Sequence, residues 1–233
     1  MPRLLIRYSK ANRLRFISHL ELAKTIERAL RRSGLPAQFT AGFHPKPKLS
    51  YGPALSLGAS STCEYLIASL REEVPVEATL SKLNSAFPEG LRATAAEYIG
   101  EGAPSLGRAI ELASYAVFAS TSRQPTDLEV RTAIARLFER NELVVEKKSG
   151  FKVVRRSEAV ADVVGEAVKR GVELEFLLTI GRPDSVRPDW LASFILENLA
   201  SSIEVVGIEI ERTGLFALVD GRPVDLLEYY KSF

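Results

Sequence analysis

Residues 13–51 read RLRFISHLELAKTIERALRRSGLPAQFTAGFHPKPKLSY, and they hold both histidines and most of the concentrated positive charge of the chain. Ser18 stands three residues before Glu21, the spacing of a capping box, ahead of the apolar series Leu22, Ile26, Ala29 and Leu30. This pattern predicts a helix that runs to about Ser33 and stops at Gly34, with Pro36 just beyond. Lys24, Arg28, Arg31 and Arg32 fall on the side opposite the apolar stripe, and His19 sits in the first turn. Beyond the helix, the prolines of Gly42-Phe43-His44-Pro45-Lys46-Pro47-Lys48 bias the loop toward polyproline geometry and hold His44, Lys46 and Lys48 outward.

Working outward, residues 3–8 alternate as a strand, Lys10 to Asn12 form a turn, and 49–57 are extended. Residues 63–70 and 91–99 read as strands on either side of an amphipathic helix at 76–87, with Pro88 to Gly90 as a turn. The order β-α-β-β-α-β is that of a ferredoxin-like unit, an antiparallel sheet with two helices on one face. Residues 101–108 are rich in Gly, Pro and Ser and predict a boundary, giving domains 1–102 and 103–233. The order then recurs. Strands are expected at 115–120, 142–147, 151–155, 173–180 and 203–211, and helices at 126–139 (Thr126 or Asp127 as cap), 159–169 and 188–199. A turn at Lys148, Ser149 and Gly150 joins two of these strands, and Tyr229, Tyr230 and Phe233 anchor the C-terminal tail. The expected fold is therefore α+β, tandem ferredoxin-like units with antiparallel sheets.

The charge is strongly polarised. The first fifty residues carry eleven Lys or Arg against Glu21 and Glu27, a net +9, so a chain of +2 leaves −7 for the remainder. A basic lobe of that size points to a polyanionic partner, nucleic acid first. Cys63 is the single cysteine, which excludes an internal disulfide and any cluster needing several thiolates. Its place in a strand pattern with Tyr65 and Ile67 at even spacing predicts a buried thiol. No apolar run has the length of a membrane span and no secretory h-region opens the chain, so a cytoplasmic protein without membrane partners is expected. Neither a phosphate loop nor a dinucleotide fingerprint occurs, and no metal or cofactor is implied.

Arg15-Phe16-Ile17-Ser18-His19-Leu20-Glu21, followed by Glu27 to Pro36 and by Gly42-Phe43-His44-Pro45-Lys46-Pro47, resembles the bacterial radical-SAM-linked family. That family is a domain of unknown function, found alone or fused behind a B12-binding radical-SAM enzyme. Its usual loop is Gly-Phe-Asn-Pro-His-Pro, which sets His44 on the Asn position and Lys46 on the His position. The resemblance implies a radical-SAM enzyme as partner and a setting among RNA-processing functions. It does not imply radical chemistry by this chain, since a radical-SAM cluster takes three cysteines.

Three readings follow. In the first, a non-catalytic accessory module holds tRNA or rRNA for the radical-SAM enzyme, through Arg13, Arg15, His19, Lys24, Arg28, Arg31, Arg32, His44, Lys46 and Lys48, with Phe43 and Tyr51 as rings for base stacking. In the second, His19 and His44 converge as the acid and base of a metal-independent endoribonuclease. In the third, the basic surface docks an acidic patch of the radical-SAM partner. A fourth arrangement, in which the arginines are neutralised by acids of the second half, would leave an ordinary solvated helix face.

Overall fold

The computed structural model describes residues 1–147 and 150–233, and the chain divides into two units, Met1–Ile110 with Leu215–Phe233, and Glu111–Gly214. The architecture mixes helices and strands, and the strand registers are antiparallel.

The first unit begins with β1 (Arg3–Lys10), a 3₁₀ turn (Asn12–Phe16), α1 (His19–Arg32), β2 (Leu49–Tyr51), β3 (Ser60–Ser69), α2 (Val76–Ala86), β4 (Leu91–Ile99) and α3 (Leu106–Ala109). β1 pairs with both β3 and β4, and β2 pairs with β3, giving the order β4-β1-β3-β2. Alternation sorts the side chains. Leu4, Ile6 and Tyr8 of β1, with Leu66 and Ala68 across from them, meet the buried stripe Leu22, Ile26 and Leu30 of α1 and Leu83 of α2 in one core. The Asn84 amide of α2 both accepts from the Ala93 N–H (2.8 Å) and donates to the Ala93 carbonyl (3.0 Å), so the helix supplies this edge strand with hydrogen bonds that no further strand provides.

The second unit holds β5 (Leu112–Thr121), α4 (Asp127–Phe138), β6 (Glu142–Lys147), β7 (Gly150–Arg155), α5 (Arg156–Ala159), β8 (Val160–Val168), β9 (Gly171–Thr179), α6 (Pro188–Glu197) and the first part of β10 (Val205–Val219). Its strand order is β10-β5-β9-β8. Two expectations are corrected. Residues 159–169 are not a helix; after the single turn of α5 they form strand β8, in keeping with four valines and Gly165. Among the described residues, strands β6 and β7 pair only with each other, as a hairpin that buries Leu143 and Val154 and leaves Val144 and Val153 outward. The turn expected at Lys148 and Ser149 lies outside the described residues.

The tail returns to the first unit. The end of β10 pairs with β11 (Arg222–Asp225), and α7 (Leu226–Tyr230) follows. The Tyr230 hydroxyl donates to the Pro104 carbonyl (2.9 Å) and the Tyr65 hydroxyl to the Asp225 carboxylate (3.4 Å). Residues 103–110 and 215–233, assigned from the sequence to the second domain, thus pack with the first. Of the three expected anchors only Tyr230 is buried, joined by Leu226, while Phe233 is half exposed. Among the described residues, no helix is long and apolar enough to cross a membrane.

Candidate nucleic-acid interface

α1 is fixed at its start by the capping box that the spacing predicted: the Ser18 hydroxyl accepts from the Glu21 N–H (3.2 Å), and the Glu21 carboxylate accepts from the Ser18 N–H (2.8 Å). The Ser18 hydroxyl also donates to that carboxylate (2.8 Å), and the two bonds it accepts from Ser18, the backbone one first, hold the Glu21 carboxyl below the ordinary carboxylate range, with a smaller attraction from Lys24. Burial of the Leu22–Leu30 stripe then orients the helix so that Lys24, Arg28, Arg31 and Arg32 are all exposed. Arg13 is exposed on the preceding 3₁₀ turn, and the half-buried Arg15 lies with its guanidinium carbon 4.8 Å over the Phe16 ring.

The loop after the helix folds back on itself. Thr40 N–H donates to the Lys46 carbonyl (2.8 Å), Lys46 N–H to the Thr40 hydroxyl (3.0 Å), and Lys48 N–H to the Gln38 carbonyl (2.8 Å). Arg31 reaches across to the loop, donating to the Pro45 carbonyl and lying 4.7 Å over the Phe39 ring. Phe43, His44 and Lys46 are left exposed at its tip, and Lys48 beyond it. Arg32 donates to the Ala86 carbonyl at the end of α2 (2.8 Å), tying the two helices together. Arg31 and Arg32 therefore brace the unit, while Arg13, Lys24, Arg28, Lys46 and Lys48 present free-standing charge. Ion pairs lie at Met1–Glu101, Arg123–Glu129, Arg155–Glu158, Arg182–Glu111 and Arg187–Asp189, and among the described residues none involves these five cations. The neutralised-arginine arrangement finds no support in that set.

Among the described residues the two histidines make no contact with each other. His19 opens α1 and packs edge-on against Tyr51, ring centroids 5.6 Å apart, while the Tyr51 hydroxyl donates to the Ala23 carbonyl (3.4 Å). His44 precedes Pro45, which Arg31 holds at the other end of the helix. His19 and Arg31 are separated by about 18 Å along the axis at 1.5 Å per residue. A general acid and base must share one scissile bond within hydrogen-bond reach, and no contact seen here joins the two imidazoles for it. Tyr51 is also no platform for a base: it is half-buried against α1, and burial raises its hydroxyl pKa well above the usual value, with Glu27 adding to the rise.

Sequence reasoning missed an apolar component of this face. Phe16, Leu20 and Leu57 are all largely exposed, and the Gly58 N–H donates to the Arg15 carbonyl (2.8 Å), which sets Leu57 beside the 3₁₀ turn. Phe16 and Leu20 stood in the quoted motif, but only the turn shows that Phe16 points outward.

A family model described as an uncharacterized protein conserved in bacteria (DUF2344) matches residues 3–188. No curated protein matches the sequence. Among solved structures, a chain in the crystal structure of a Cbf5–Nop10–Gar1 complex is similar, at 12% identity and a TM-score of 0.50, over 91% of this chain and 48% of that one. A chain in the crystal structure of the archaeal box H/ACA sRNP Nop10–Cbf5 complex is similar at 12% identity and a TM-score of 0.47, over 90% and 46%. This chain thus spans about half the length of those it resembles, and at 12% identity the likeness to the first is one of fold.

Proposed function

We propose that this chain, which belongs to a family of uncharacterized proteins conserved in bacteria, is a non-catalytic RNA-binding module whose first unit holds phosphates along α1 and the 40–48 loop. The observation that carries the reading is a row of exposed cations, Arg13, Lys24, Arg28, Lys46 and Lys48, with no carboxylate within ion-pair distance among the described residues. Unneutralised cations on a rigid helix and a braced loop are what counterion release rewards. The strand orders β4-β1-β3-β2 and β10-β5-β9-β8 support reading each unit as ferredoxin-like, the second with the β6–β7 hairpin inserted. The radical-SAM enzyme implied by the sequence resemblance is the candidate catalyst, and this part of the reading rests on that resemblance alone.

The test is the binding of labelled total tRNA over a series of salt concentrations. Wild-type affinity should fall by orders of magnitude between about 50 and 200 mM salt. Replacing Lys24, Arg28 and Lys48 together by Glu should abolish most of the binding and flatten the salt slope. These positions avoid Arg31 and Arg32, whose loss would also disturb the fold. Equal, salt-insensitive binding by the triple variant would sink the reading.

A further inference from the structure

We propose that Phe43 is a stacking ring for an unpaired nucleobase, so that the site selects single-stranded or looped-out RNA over duplex. The inference rests on the RNA-binding reading above and adds the class of RNA. Phe43 is fully exposed, the most exposed large apolar side chain of the described residues. It is not there because the loop is loose. The Thr40–Lys46 hydrogen bonds close the loop, Pro45 and Pro47 restrict its backbone, and Arg31 clamps it through the Pro45 carbonyl and the Phe39 ring. Gly42, at φ 119°, takes the backbone into a region closed to other residues just before the ring. A phenyl ring held wholly in water adds no buried area to the fold, and the bonds that fix the loop hold its face open to a partner.

The surroundings say which partner. Lys46 and Lys48 are exposed on the same loop, three and five residues beyond the ring, and Arg28 is exposed on α1 one turn before Arg31, which holds that loop. A flat apolar face next to unpaired cations matches a nucleobase and its flanking phosphates. In a duplex the faces of the bases are already stacked, and only an unpaired base leaves one open to the ring.

The experiment compares a fluorescein-labelled single-stranded RNA of about 8 nucleotides with the blunt duplex it forms with its complement, by anisotropy at low salt. Phe43→Ala should weaken single-strand binding by about tenfold or more, leave duplex binding and the salt slope unchanged, and be rescued by Phe43→Trp. Unchanged single-strand affinity, or equal losses on both RNAs, would overturn the proposal while leaving phosphate binding intact. Loss of capture of an acidic protein partner, with RNA binding unaffected, would reassign the ring to a protein pocket and overturn it as well. Failure of the wild type to bind either RNA would instead remove the RNA reading underneath.

Discussion

Glu129 shows how a single carboxylate can serve two neighbours. It closes the capping box of α4, accepting from the Thr126 N–H (2.8 Å), and it takes a bidentate pair of bonds from Arg123 (2.6 and 3.1 Å). The Arg123 bonds first and the Thr126 backbone bond second bring its pKa from 4.5 to about 2. A carboxyl depressed in the folded state contributes stability that is present above the unfolded value and fades as pH falls through the folded one. The thermal midpoints of wild type and Glu129→Gln should therefore differ near neutrality and converge between pH 4.5 and about 2, as protonation removes from the wild type what the variant already lacks. A gap that stays constant over this range would show that the charge plays no part. The residue scale also marks how far the sequence was legible. Capping boxes are local, so Ser18–Glu21 could be read from spacing, and Glu129 decides between Thr126 and Asp127 as the cap. Arg31 binding Pro45 could not be read, because that contact exists only once the loop has folded back over the helix.

At the scale of elements, β8 explains the largest misreading. Val160, Val163, Val164, Ala167 and Val168 recur at i, i+3, i+4, i+7 and i+8, the period of a helix. In the structure the register of β8 against β9 shifts between Val160 and Asp162, and this irregularity puts Val160 and Val163 on the buried side of a strand. A bulge adds one residue to a period of two, and over a short stretch the result imitates three and four. The β-branched composition was the better guide. Its partner β9 begins at a position with no room for a side chain: a Cβ on Gly171 would lie 1.8 Å from the Ala119 carbonyl oxygen of β5. Gly171→Ala should accordingly cost about 3 kcal/mol in urea denaturation, since backbone must move apart across the central strand pair of the second unit. Gly102→Ala, where nothing lies within 4 Å, is the comparator and should stay near wild type. A Gly171→Ala midpoint no lower than the Gly102→Ala midpoint would contradict the close approach.

For the whole molecule, the feature hardest to read was the order in which the chain visits its units. Gly, Pro and Ser at 101–108 suggested a boundary, whereas the first unit runs on to Ile110; composition reports where a chain turns, not where it comes back. The return is written in long-range contacts alone: the Tyr230 hydroxyl on Pro104, Asp225 on Tyr65, and a Gly100 that would bring a Cβ to 2.2 Å from the Phe233 carbonyl oxygen. Leu226 and Tyr230 are almost fully buried in the first unit, and truncating one such side chain costs about 2–5 kcal/mol, a large share of the stability of a small domain. The two units should therefore behave differently when cut out. Residues 111–214 are continuous and should melt cooperatively alone, whereas 1–110 should not; joining 215–233 to 1–110 through a flexible linker should restore the transition. Circular dichroism melts of the three fragments decide the matter, and equal cooperativity of 1–110 with and without the tail would refute the closure. Because Arg13 to Lys48 all lie within 1–110, the rejoined fragment should also bind tRNA with the salt slope of the intact protein, while 111–214 should contribute little of it.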